Sequence, residues 1–382
     1  MARREKPEIS ATTAHPGVVS EAAGVSSPPT LIGRLIGRYL MRFRRPESIS
    51  FGEAFRQIRR VLVIPEQGVV GALFAMPTLR ALRQGFPDSK IAVLAREEDR
   101  DLLDGAPEID KVIGCDLPGG LRRAPAFLAL GKRLRSHRFD VSILLDREFD
   151  IERAFLCYLT KATVRAGLQS DESYPFFNLE MSRNVSGRVR ANLGLEVVGL
   201  MGVDVSGIEL RWEVSEREKR LAEQLVHFRK PREEELLIGF DPGPGRSGTS
   251  ISSSQQGRLL DRLCTDYQAR AILLTAPEHH QCAIRLESLA QREPIVVQQR
   301  RMRDVVSLLG ECDLFISGNT DLTYFAVAMG IPTVSMMTPA EAADSALPRS
   351  DTFAVVELVS GQRFPIEEFM ERTQAVLLGN GG

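Results

Sequence analysis

The chain has 382 residues, 43% of them hydrophobic and 26% charged, with a formal net charge of −1. At roughly 150 residues per domain that suggests two well-filled domains and excludes a disordered chain, and the near-zero charge excludes a nucleic-acid binder working by bulk electrostatics. The average hides an asymmetry: residues 1–60 hold 11 Lys and Arg against 5 Asp and Glu, whereas the rest hold 38 against 45.

The five cysteines (Cys115, Cys157, Cys264, Cys282, Cys312) are scattered and form no CxxC pair. Neither a disulfide framework nor a zinc site is expected; each should sit in the core as a small hydrophobe, in a reducing compartment. No run of about 18 apolar residues suggests a membrane span. Residues 1–30 carry basic residues but no apolar stretch ahead of Ser26-Ser27-Pro28-Pro29, so a signal peptide is not expected either. The chain reads as cytoplasmic.

In chain order, residues 1–30 read as a disordered tail. Residues 31–58 form a basic amphipathic segment. Leu31, Ile32, Leu35, Ile36, Tyr39, Leu40 and Phe43 recur at helical spacing, with Arg34, Arg38, Arg42, Arg44 and Arg45 between them. Such a helix suits an anionic membrane surface and equally suits packing on its own domain.

From residue 59 short apolar strands alternate with amphipathic helices. Strands are expected at 61–64, 90–95, 111–115 and 140–145, and helices at about 76–84, 98–104, 121–136 and 150–160. The alternation blurs after residue 167, where polar helices near 188–200 and 215–229 flank a segment at 203–212. It resumes with strands at 236–240, 271–274, 295–297, 314–317 and 333–336, separated by helices at 255–267, 278–291, 302–310 and 322–329. This pattern predicts two α/β domains of parallel strands, at 59–205 and 233–382, joined by a linker at 206–232. Ligands would bind at the carboxyl ends of the strands, in the cleft between the domains.

Four loops carry residues suited to that role. Pro65-Glu-Gln-Gly-Val-Val-Gly71 follows the first strand; Gly68 and Gly71 would let backbone approach a ligand, but no GxGxxG supports a dinucleotide site. Asp241-Pro-Gly-Pro-Gly-Arg-Ser-Gly-Thr-Ser250 opens the second domain. Gly243, Gly245 and Gly248 permit a nest of N–H groups, and Arg246, Ser247 and Thr249 add donors, which suits a diphosphate as well as a plain turn. Thr249 stands where a P-loop needs lysine, which excludes an NTPase. Ser317-Gly-Asn-Thr-Asp-Leu-Thr-Tyr324 places Asn319, Thr320 and Asp321 where they can cap a helix or meet an anion, with Tyr324 beyond. Thr275-Ala-Pro-Glu-His-His280 offers Thr275 and, at a helix start, Glu278, which could accept from ribose hydroxyls. His279 and His280 lack metal-ligand partners and read as solvated.

In this order the loops resemble glycosyltransferase family 9, the ADP-heptose:lipopolysaccharide heptosyltransferases. Residues 61–82 align without gaps to the family pattern ILVIRLSSLGDVLHTLPALRAL. Phe139–Asp146 resembles YDLVIDLQ, and Gly318–Gly330 followed by Ile331-Pro332 resembles NDSGPMHLAAALG followed by TP. The resemblance implies a GT-B fold, α/β, with two Rossmann-like doubly wound domains facing across a cleft: an acceptor domain and then a nucleotide-sugar domain. It implies an inverting transfer of a sugar such as heptose, from an ADP-heptose-like nucleotide-diphosphate sugar to a lipopolysaccharide, glycolipid or polysaccharide acceptor. No metal or other cofactor is implied, and the cell location would be cytoplasmic or peripheral on the inner membrane through residues 31–45. A non-catalytic GT-B protein binding a nucleotide sugar or an envelope-assembly partner is the alternative.

The resemblance breaks at the chemical positions. Gly71 stands at the family's general-base Asp and Val70 at the glycine before it. Asn319, Thr320, Asp321 and Tyr324 replace Asp, Ser, Gly and His, and the lysine of the second-domain phosphate loop is missing. Glu66 is then the candidate base and Arg246 the candidate cation for the leaving diphosphate.

Overall fold

The computed structural model of the chain describes residues 55, 58–115, 124–171, 173, 175–181, 193–228, 235–246, 251–345, 347 and 350–379. The expected tail, the basic segment except residues 55 and 58, and the site residues Ser247 and Thr249 lie outside them.

Two six-stranded sheets, both parallel throughout, carry the fold. The first runs β1 (Arg60–Ile64), β2 (Lys90–Ala95), β3 (Lys111–Gly114), β4 (Val141–Leu144), β5 (Val164–Leu168) and β6 (Leu179–Met181) in sequence, and β3-β2-β1-β4-β5-β6 in space. The second contains β7 (Leu237–Phe240), β8 (Arg270–Leu273), β9 (Ile295–Val296), β10 (Leu314–Ser317), β11 (Thr333–Met337) and β12 (Phe353–Glu357), ordered β12-β11-β10-β7-β8-β9. Both therefore have the doubly wound order 3-2-1-4-5-6. Each has its topological switch point between its first and fourth strands, where such sheets bind ligands.

The central strands are apolar runs buried on both faces, as Val61–Ile64 and Leu314–Ile316 illustrate. β5 lies at the edge of the stretch where the sequence alternation blurred, and β6 lies inside it. β5 contains Arg165, which is 8% exposed and donates to the carbonyls of Phe176 (2.9 Å) and Ala162 (2.9 Å). A buried arginine that is hydrogen-bonded to main-chain carbonyls breaks an apolar strand pattern without breaking the strand.

Helix α1 (Val69–Gly85) starts seven residues before its expected start at Met76. It is buried on nearly every side, so it lacks the polar face that makes a helix legible. Next come α2 (Glu97–Leu103), α3 (Ala124–Ser136), α4 (Ile151–Leu159), α5 (Leu193–Leu200) and α6 (Glu216–His227). α6 opens on a capping box, Ser215 with Glu218. In the second half, α7 (Ser253–Asp266) has a Ser252–Gln255 capping box, and a 3₁₀ turn (Pro277–His279) leads into α8 (His280–Glu287). α9 (Met302–Leu309), α10 (Asp321–Ala328), α11 (Pro339–Asp344) and α12 (Ile366–Leu377) complete the chain.

One apolar cluster runs from the first sheet into the second and includes Leu73, Leu79, Val305, Leu322 and Phe325. Across the junction Phe74 of α1 meets Tyr324 of α10 edge-on, centroids 5.9 Å apart, and Trp212 meets Phe325 at 5.1 Å. At the far side Arg303 of α9 pairs with Glu218 and donates to the end carbonyls of α2, those of Leu102 (3.0 Å) and Asp104 (2.8 Å). Cys157, Cys264 and Cys312 are core residues as expected. Cys115 and Cys282 are only half-buried, which corrects the expectation for those two. Among the described residues no helix is long and apolar enough to cross a membrane, and no cluster of three or more His, Cys, Asp or Glu could hold a metal.

Candidate active site

The loops that leave the two switch points face each other. After β1 the chain runs through Pro65-Glu66-Gln67 to Gly68, the N-cap of α1. Gly68 has φ +93°, a left-handed value that glycine adopts freely, and its N–H donates to Asp99 (3.2 Å). Gly71 is not a loop residue: it lies in the first turn of α1. A Cβ there would stand 2.0 Å from the carbonyl oxygen of Glu66, so only glycine lets the Glu66 main chain fold onto the helix. The position that aligns with the family's base thus has no room for a side chain.

Glu66 occupies the lip instead. Its Oε1 lies 3.9 Å from Arg147 Nε, beyond the end of β4, and Arg147 also reaches Asp344 at the end of α11, 4.0 Å away in the second half. The charge of Glu66 is felt by Arg246 on the opposite lip. Glu66 also borders a cavity of about 720 Å³ at the carboxyl ends of the first sheet, lined further by Gln67, Arg96, Glu97, Phe127 and Arg153.

Sequence reasoning missed Asp146, the second residue after β4, although the strand-end rule points to it. Burial pushes its carboxyl up to about 7; Arg153, 2.6 Å away, opposes the rise, and Asp150 and Glu66 add to it. Arg153 donates to the Pro65 carbonyl as well, so Asp146 and Arg153 together brace the loop that carries Glu66.

On the other lip Asp241 follows β7. Burial pushes it up to about 6, opposed by the Thr320 hydroxyl, the Gly243 N–H and the charge of His279. Gly243 donates to Asp241 Oδ1 at 2.8 Å, so that N–H is already used. Gly245 passes against Gly318, and the Arg246 N–H donates to the Asn319 carbonyl at 3.3 Å, which ties the loop after β7 to the loop after β10. His279, expected to be solvated, is half-buried and approaches Gly243. Glu278 is exposed on the 3₁₀ turn and not in the first turn of an α-helix, while Thr275 is buried after β8.

The loop after β10 is wound differently from expectation. Thr320 is the N-cap residue of α10 but makes no side-chain cap bond. Asn319 is buried with φ +53°; its amide donates to Glu341 (2.8 Å) and its N–H to Ser335 (3.1 Å), so it serves the fold. Tyr324 is 5% exposed, wedged between Phe74 and the Arg246 guanidinium, which sits 4.6 Å over its ring. Arg246 donates through Nε (3.2 Å) and Nη2 (2.6 Å) to Asp321 Oδ1. Each switch point is therefore crossed by one Arg–carboxylate pair, Glu66–Arg147 and Arg246–Asp321.

Two doubly wound parallel sheets with facing strand ends and opposed polar lips make up the GT-B architecture. Residues 127–358, well over half of the chain, match the model of Glycosyltransferase family 9 (heptosyltransferase), and the chain belongs to that family. Lipooligosaccharide heptosyltransferase 2 of Haemophilus ducreyi is 23% identical over 292 residues, 72% of this chain and 81% of the relative. A family 9 glycosyl transferase structure from Veillonella parvula superposes with a TM-score of 0.71 at 17% identity, covering 84% of this chain and 97% of that one. The E. coli ADP-heptose LPS heptosyltransferase II structure gives 0.67 at 19% identity, covering 85% and 100%.

Proposed function

We propose that the protein transfers a heptose from a nucleotide-diphosphate heptose to a lipopolysaccharide-type glycolipid, with inversion at the anomeric carbon. The carrying observation is geometric: Glu66 and Arg246 stand on the loops that leave the two switch points, and Arg147 spans from Glu66 (3.9 Å) on the first half to Asp344 (4.0 Å) on the second. The names of the relatives above supply the sugar and the acceptor class. The acceptor end lies in the cavity beside Glu66, and the donor diphosphate lies over Arg246 and the first turn of α10, whose N-cap Thr320 makes no side-chain cap bond.

In this reading the Glu66 carboxylate takes the proton of the acceptor hydroxyl as that oxygen bonds to the sugar C1. The bond from C1 to the phosphate oxygen breaks, its electron pair leaves on the diphosphate, and Arg246 meets the developing charge. No metal or other cofactor takes part, so turnover in EDTA should equal turnover in magnesium. Residues 31–45 give the protein a peripheral foothold on an anionic membrane from the cytoplasmic side; deleting residues 1–50 should move it to the soluble fraction.

The test is incubation with ADP-heptose and a heptose-deficient lipopolysaccharide, read as the mass gain of one heptose. Glu66→Gln should lose the gain while still binding ADP. A protein that binds no nucleotide diphosphate and consumes no nucleotide sugar overturns the reading.

A further inference from the structure

Donors that would suit a diphosphate are already taken by the protein's own carboxylates. The Gly243 N–H serves Asp241 at 2.8 Å, and Arg246 gives Nε and Nη2 to Asp321. Asp321 is the first residue of α10, at the positive end of that helix, where an anion is most favoured. Its carboxylate thus combines the helix end with the guanidinium, the same two attractions that would hold a phosphate.

We propose that Asp321 is an internal stand-in for the donor's diphosphate, holding Arg246 while the site is empty and yielding it when a diphosphate arrives. This rests on the donor-site reading above. The exchange needs no unfolding, because the two side chains are 37% and 39% exposed. Arg246 does not drift once released: the Tyr324 ring lies beneath it and the Asn319 carbonyl holds its N–H. A diphosphate must break the Asp321 pair to reach Arg246, so that pair limits how tightly the leaving product is held.

The test measures binding of ADP, inorganic pyrophosphate and adenosine by calorimetry to the full chain and to Asp321→Asn, Asp321→Gly, Arg246→Gln and the Asp321→Asn/Arg246→Gln double variant. Both Asp321 variants should bind ADP and pyrophosphate more tightly, on the order of tenfold, with adenosine unchanged. The gain should vanish in the double variant, the signature of coupling between the two residues. Melting midpoints establish that each variant is folded, and glycine and asparagine serve as independent replacements. Unchanged or weaker ADP binding in both folded variants overturns the proposal, as does a gain that survives Arg246→Gln. If neither the parent nor any variant binds ADP or pyrophosphate, the donor-site reading itself fails. Binding by the parent without tightening in the variants removes only the role of Asp321.

Discussion

The carbonyl oxygen of Glu66 fills the space that a side chain at position 71 would need: a Cβ on Gly71 would stand 2.0 Å from it. Installing the family's aspartate there should therefore not create a base. Gly71→Asp and Gly71→Ala should both destabilise the fold by about 1–3 kcal/mol through overpacking, read as a lower melting midpoint, and neither should raise turnover. A stable, more active Gly71→Asp would mean that Glu66 is not the proton acceptor.

Glu66→Gln keeps the shape of the side chain and removes its capacity to take a proton. Turnover should fall by roughly 10²–10⁴-fold with the melting midpoint nearly unchanged. Glu66→Asp should recover part of the rate, since the carboxylate is shortened but kept. Equal rates for the parent and Glu66→Gln would move the role to another group.

The pH dependence of stability should peak in the acid range. Asp146 at about 7 and Asp241 at about 6 both lie above the ordinary aspartate value of 3.8, so the folded chain binds more protons than the unfolded chain between about pH 4 and 7. Their contribution is full below that window and is lost as pH rises through it. Glu218 behaves oppositely: burial works against it, but hydrogen bonds from Arg303 and Ser215 hold it at about 2. Its contribution is present above about pH 4.5 and is lost as pH falls toward 2. Melting midpoints from pH 2 to 8 should show both limbs. In Asp146→Asn the decline between about pH 6 and 7 should shrink to the smaller part that Asp241 contributes.

Arg303→Met keeps the apolar stem and removes the guanidinium from Glu218 and from the α2 carbonyls. It should cost about 1–3 kcal/mol, because acceptors sheltered from water lose their donor. Flattening of the acid limb in the same variant would tie the low Glu218 value to Arg303.

The sequence pattern made most strands legible, because β1, β4, β7 and β10 are short, mostly apolar runs that are buried almost throughout. It hid β5 behind Arg165, and β6 by brevity, three residues with Glu180 exposed between two buried neighbours. Strand–loop order also located both lips. What it could not reach was the pairing on them. Asp321 lies 75 residues from Arg246, and only the β7–β10 register brings them together. Gly71 read as a loop glycine because nothing local shows that the Glu66 main chain lies over it.

The apolar cluster shared by the two sheets, with Arg303 closing its far side, has a consequence for how the molecule comes apart. Separating the halves would expose Phe74, Tyr324, Trp212 and Phe325 to water before either sheet had lost a strand. Neither half can shed its partner cheaply, so heat should break both in one cooperative step, giving a single calorimetric peak. The boundary so plain in the strand order should leave no mark on the melting curve.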